Sequence, residues 1–181
     1  MTRFSNPAGA SSRNVAEYVA AVVDLLGDRD PIEVLRATPE ALERSIANVP
    51  TAALTEPEEN GKWSIAEVCQ HLADSETVWF YRLRMVLAED KPHLAGYDQD
   101  LWADRFGYRD VPVEESLGLF AASRKSNLRL LARLTPSDYQ RAGLHSERGE
   151  ESVRDLVGLY AGHDLVHLAQ VERIRQRLGI T

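Results

Sequence analysis

The chain has 181 residues, 44% hydrophobic and 27% charged, a balance that suits one globular domain with a sizeable core and excludes a disordered or fibrous chain. Its net charge is −7, from 21 basic and 28 acidic residues, without the basic stripe of a nucleic-acid binder. Arg124, Lys125, Arg129 and Arg133, and later Arg173, Arg175 and Arg177, are interleaved with other residues and read as solvated faces.

The opening segment MTRFSNPAGASSRN lacks the apolar core of a signal peptide. No run of about 18 apolar residues offers a membrane span. Cys69 is the single cysteine, so no intrachain disulfide framework is expected. A soluble cytoplasmic protein is predicted, with a small molecule rather than nucleic acid or membrane as its partner.

Helical periodicity runs through the chain, and no segment alternates convincingly with the period of a strand. An N-terminal arm, residues 1–28, carries a short helix over 15–26 that ends near Gly27. Asp30-Pro31 opens a turn of helix. Thr38-Pro39-Glu40 then predicts a fresh start, Thr38 as cap and Pro39 in the first helical position, with the helix running to about Val49. Ser64, with Glu67 three residues on, forms a capping box for a long helix to about Glu89. The segment 90–112 reads as a long connection with room for a helical turn. Another helix spans about 113–134, a second connection covers 137–151, and Ser152 caps a last helix ending near Gly179. The expected fold is all-α: a four-helix bundle over 29–181 with an additional N-terminal helical segment. Such bundles build metal sites from side chains on facing helices.

The last helix contains His163-Asp164-Leu165-Val166-His167. Residues four apart share one helix face, so two imidazoles at this spacing can meet one ion. Spacing alone leaves two hydrogen-bonded core histidines as the alternative. The apolar stripe Val153, Leu156, Val157, Tyr160, Leu168, Val171, Ile174 and Leu178 includes His167 and has His163 at its edge, so both point inward, and Gln170 follows on that seam. A buried imidazole needs a partner. On the 64–89 helix, His71 lies beside the stripe Ile65, Val68, Leu72, Trp79, Leu83 and Val86, in a seam with Ser75, Val78 and Arg82. There it is either a structural histidine or a third ligand. Three histidines with an open position would form a catalytic type of site.

The segment Gly61-Lys62-Trp63-Ser64-Ile65-Ala66-Glu67-Val68-Cys69-Gln70-His71-Leu72-Ala73-Asp74-Ser75-Glu76 resembles the second-helix signature of the DinB/YfiT-like superfamily. Tyr160-Ala161-Gly162-His163-Asp164-Leu165-Val166-His167-Leu168-Ala169-Gln170 resembles its fourth-helix signature. The likeness covers about residues 29–178. It implies a four-helix bundle that binds a divalent metal, nickel or zinc foremost, through His71, His163 and His167. It also implies thiol-dependent transfer with a low-molecular-weight thiol cosubstrate, or hydrolysis, as the reaction class, and a homodimer as the assembly. A non-catalytic metal-binding or small-molecule-binding bundle is the competing reading.

Other polar residues are candidates for supporting roles. Arg124 falls in the centre of an apolar face formed by Leu117, Phe120, Ala121, Leu128 and Leu131, and a buried guanidinium requires an anion. It either pairs with Asp164, which also lies on an apolar face, or orients a substrate anion as a catalytic residue. Glu67 caps its helix or orients His71, and Asp164 and Gln170 are further candidates to hold imidazoles. His145 is a surface loop histidine or a group at the open side of the metal. Cys69, about 200° around the helix from His71, is not a catalytic thiol.

Overall fold

The computed structural model describes residues 12–180; residues 1–11, the start of the predicted arm, lie outside the described residues. The helices are α1 (Ser12–Asp24), α2 (Pro31–Ile46), α3 (Thr51–Leu54), α4 (Ile65–Ala88), α5 (Gln99–Arg105), α6 (Val113–Leu131) and α7 (Val153–Arg177). In the bundle, α2 packs on α6 and α7, and α4 packs on the same two. Among the described residues no helix is long and apolar enough to cross a membrane.

The two helices that carry the histidines start where their side chains dictate. Ser64 Oγ accepts the Glu67 amide at 3.3 Å, and Glu67 Oε2 accepts the Ser64 amide at 2.8 Å. Ser152 and Asp155 repeat the arrangement at α7, with Asp155 Oδ2 accepting the Ser152 amide at 2.9 Å. These reciprocal bonds satisfy amides that a helix start otherwise leaves open.

Two expectations are corrected. First, α2 is continuous through Thr38-Pro39 and starts instead at Pro31, where Asp30 Oδ1 accepts the Ile32 amide at 2.8 Å. Proline at position 39 cannot donate to the carbonyl of Leu35, four residues back. Arg124 Nη1 donates to that carbonyl instead, at 2.8 Å. The Thr38 hydroxyl donates back to Val34 O at 2.9 Å rather than capping. Second, the connections hold a small sheet, β1 (His93–Leu94), β2 (Ala142–His145) and β3 (Gly149–Ser152). β1 pairs parallel to β2, and β2 pairs antiparallel to β3. Strands this short show no readable alternation. The hairpin turns at Gly149, whose φ of +81° favours glycine. Arg141, at its base, donates to Val86 O and Glu89 O at 3.0 and 2.7 Å, tying the hairpin to the end of α4.

Helix α1 lies on α7 with Val15 and Val22 buried, and Leu26 is buried in the turn that follows. The approach depends on Gly162, where an added Cβ would stand 2.3 Å from Val22 O.

Two apolar clusters form the bundle core. One gathers around Leu35, Trp79, Leu83, Leu131 and Leu156, the other around Leu42, Leu72, Phe120, Val171 and Ile174. Between them along the helices lies a polar layer centred on Arg124, 1% exposed. All five of its N–H groups are used. Nε and Nη2 donate to Glu76 Oε2 at 3.0 and 2.9 Å, Nη1 and Nη2 to Asp164 at 2.6 and 3.1 Å, and Nη1 to Leu35 O. Asn127 donates to the other oxygen of Glu76 at 2.9 Å. Burial acts against the cation, but Asp164 and Glu76 outweigh it and raise the Arg124 pKa above its ordinary value. Burial pushes the Glu76 carboxyl up, against the pull of Arg124.

Removing the guanidinium alone strands two buried carboxylates. Arg124→Met is expected to lose about 3–5 kcal/mol of stability in urea unfolding of the metal-free protein. Adding Glu76→Gln and Asp164→Asn to that variant should restore part of the loss, and a single variant as stable as wild type would contradict this account.

Candidate metal centre

His71 projects from α4, and His163 and His167 from successive turns of α7. His71 and His167 are buried and His163 half-buried. Their Nε2 atoms converge. His163 Nε2 lies 3.0 Å from His71 Nε2 and 3.1 Å from His167 Nε2, and all three ligand atoms fall within 4.8 Å of one another. The ring of Trp63, just ahead of the α4 cap, lies 4.7 Å from the His71 ring and 6.4 Å from the His167 ring, centroid to centroid.

Proton placement shows what this cluster suits. Gln170 Nε2 faces Glu58 Oε2 at 3.5 Å, which turns Gln170 Oε1 toward His167 Nδ1 at 2.9 Å. His167 Nδ1 therefore carries the ring proton and Nε2 presents a lone pair. His163 Nε2 can form a hydrogen bond with at most one of its two ring neighbours in either tautomer, so at least one close pair of ring nitrogens is left without a proton shared between them. A divalent cation fits that donor set.

The imidazoles are held neutral. Burial, then the neighbouring His167 and His163, pushes His71 well below the usual histidine range. Burial and then His163 push His167 down to about 3, with Gln170 opposing. Burial, then Arg124 and Arg148, push His163 down to about 4.

The other candidates are placed as follows. Gln170 holds His167. Glu67 does not reach His71: its Oε2 is occupied by the Ser64 amide and hydroxyl and by Arg109 Nη2, at 2.8, 2.7 and 3.3 Å. The cap geometry keeps that carboxylate at the helix start, and His71 Nδ1 is buried without a partner among the described residues. Asp164 serves Arg124 rather than an imidazole, and Arg124 has no N–H left for a substrate. Cys69 is fully buried, its thiol pushed up to about 12 by burial.

His145 is not on a surface loop. It ends β2, 4% exposed, and its Nδ1 accepts the Glu147 amide at 3.1 Å. It lines a cavity of about 80 Å³ together with His163, Arg82, Tyr160, Tyr97 and Ser75. On the other flank, His167, Gln170 and Trp63 face a groove of about 980 Å³ that Tyr108 and Arg109 also line. Sequence reasoning assigned no role to Arg82 or Trp63. The signal for Arg82 was its place on the His71 seam, a charge on an inward face.

The model of the DinB superfamily matches residues 35–171. The chain belongs to the DinB superfamily. A relative from Oceanobacillus iheyensis, named a "putative metal-dependent hydrolase", is 32% identical over 146 residues, covering 81% of this chain and 84% of the relative. A relative from Geobacillus thermodenitrificans with the same description is 31% identical over 179 residues, 97% of this chain and 92% of its own. Among solved structures, YfiT from Bacillus subtilis, described as "a probable metal-dependent hydrolase with an unusual four-helix bundle topology", superposes with a TM-score of 0.79 at 26% identity, covering 83% of this DinB-superfamily chain and 87% of YfiT.

The depressed histidines make the metal-free fold acid-sensitive. Unfolded histidines titrate at about 6.5, whereas His163 and His167 do so at about 4 and about 3 when folded. Between these values the unfolded chain binds more protons, so stability rises with pH through the window and is lost as pH falls through it. The melting temperature of metal-free protein should drop between about pH 6.5 and 4, and this drop should shrink in a His163→Ala, His167→Ala variant. A melting temperature flat across that window would refute the assignment.

Proposed function

We propose that this chain is a metal-dependent enzyme of the hydrolase class, with a divalent ion, nickel or zinc, held by His71, His163 and His167. The observation that carries the reading is the convergence of three neutral Nε2 atoms at a point flanked by open space on two sides. Three protein ligands leave a position for a water or substrate, the pattern of catalytic rather than structural sites. A divalent ion there supplies Lewis acidity and lowers the pKa of a bound water or thiol.

The chain's own residues do the rest. Gln170 fixes the His167 tautomer and thereby the direction of its lone pair. The Trp63 ring walls His71 and His167 and keeps water from their faces. Neutral imidazoles at pH 7 offer lone pairs without first losing a proton.

Thiol-dependent transfer is the second reading, favoured by one specific observation. The cluster has two separate spaces, a small cavity beside His163 and a wide groove beside His167. A two-substrate reaction needs such a pair. The buried Cys69 cannot serve, so the thiol comes from a cosubstrate.

Metal analysis of purified protein should find near-stoichiometric nickel or zinc, lost in His71→Ala and in His167→Ala. Gln170→Ala should weaken binding by about 10–100-fold. An ester and amide panel, run beside thiols with electrophiles, separates the two reactions. Turnover only with a thiol would replace the hydrolase by the transferase, metal without any turnover would favour a binding module, and absence of metal from wild type would remove the site.

A further inference from the structure

We propose that the cavity beside His163 is a carboxylate subsite, in which Arg82 and His145 hold the anionic end of the substrate; this rests on the enzymatic reading above.

Arg82 is 4% exposed and makes no ion pair among the described residues. Its contacts are neutral: Nη2 donates to Ala95 O, and Nη1 to the Tyr160 hydroxyl at 3.4 Å. Arg124 shows what the interior of this protein provides for a buried guanidinium that it keeps to itself, namely two carboxylates. An unpaired buried cation beside a cavity calls for an anion from outside.

His145 supplies an independent observation. Because its Nδ1 accepts the Glu147 amide, the neutral ring carries its proton on Nε2. That Nε2–H is buried and has no partner among the described residues. An unmet donor of this kind costs about 1–3 kcal/mol until an acceptor arrives. Arg82 and His145 line one cavity, so both unmet requirements are for an acceptor in one place.

Charge and size specify which acceptor. Arg148 also lines the cavity, but Glu151 already pairs with it at two atoms, with Nη2 donating at 2.9 Å. Glu147, exposed at the rim against Gly96, adds negative charge. Arg82 is thus the cation on this wall with no carboxylate bonded to it among the described residues, and the negative rim disfavours a second negative charge, which matches a carboxylate and not a phosphate dianion. A single water takes about 10–15 Å³ of such space, so a cavity of about 80 Å³ admits a carboxylate with a short stem but not a large substrate. The remainder would lie toward the histidines, since His163 is itself part of the wall. Gln99 lines both this cavity and the wide groove, and so stands where the two approach each other.

The test uses acetate as the probe, with chloride at equal ionic strength as control. Imidazole ¹H–¹⁵N spectra of zinc-loaded protein should show a saturable shift at the His145 ring, with affinity about 10–100-fold weaker in Arg82→Gln. Acetate should also raise the melting temperature of wild type over the chloride control. That rise should vanish in His145→Ala, which retains Arg82 and serves if Arg82→Gln fails to fold. Metal-free His71→Ala should still bind acetate, so the subsite is read separately from the metal. Mercaptoacetate distinguishes the source of the carboxylate. A metal-dependent gain over acetate assigns it to a thiol cosubstrate, and equal binding assigns it to the cleaved substrate. No saturable shift, tighter binding of inorganic phosphate than acetate, or binding that needs the metal but is indifferent to Arg82, would each overturn the proposal.

Discussion

The bundle depends on one buried guanidinium. Arg124 is borne by α6 and bonded to a carboxylate of α4, a carboxylate of α7 and a carbonyl of α2. Apolar side chains stick to one another in many registers, but a side chain with five N–H groups in a fixed fork has few ways to be satisfied. Sliding any of the four helices by a turn would leave a charge or a carbonyl buried without its partner. The apolar clusters to either side supply most of the driving force, and the Arg124 layer selects the alignment in which they form. Pro39 belongs to this device: by withholding an amide it leaves the Leu35 carbonyl free for the arginine.

The same layer aims the histidines. Asp164 follows His163 directly, and neighbouring residues on a helix diverge by about 100°. Once Asp164 is turned into the bundle toward Arg124, the rotation of α7 is fixed, and His163 and His167 face His71 on α4. Glu76 does the corresponding work five residues beyond His71. Arg124 thus shapes the cluster without touching it, and the one residue that seemed from its position able to orient a substrate anion instead orients the helices that carry the candidate ligands.

Long-period features were legible in the sequence. The long helices, the caps at Ser64 and Ser152 and the inward phase of His163 and His167 all rest on interactions within about one turn. His71 rested on resemblance, because which faces of two helices meet is a tertiary fact. Two readings failed and one residue was passed over, each for a physical reason. Pro39 carries the local signature of a helix start, and only a side chain 85 residues away explains its place inside α2. The strands of the small sheet are too short to alternate, so His145 read as a loop residue. Arg82 is defined by what it lacks, and a missing partner is invisible until every neighbour is placed.

Without a cation, the histidine cluster opposes folding. Close ring nitrogens cannot all pair with one another, His71 Nδ1 and His145 Nε2 are buried without partners among the described residues, and burial first, with the nearby arginines adding to it, keeps protons from relieving the conflict. A chain selected for stability alone would place apolar side chains at these positions. Their presence in a well-packed bundle means that the surrounding structure offsets the cost, chiefly through the two apolar clusters and the saturated Arg124 layer. The imidazoles with unmet atoms stand close together. They lie on the wall of one small cavity and at the point where three ring nitrogens meet, next to each other along α7 through Tyr160 and His163. Lone pairs at one end call for a cation and unmet donors at the other call for an anion, so the unmet groups describe a ligand with its polarity already assigned.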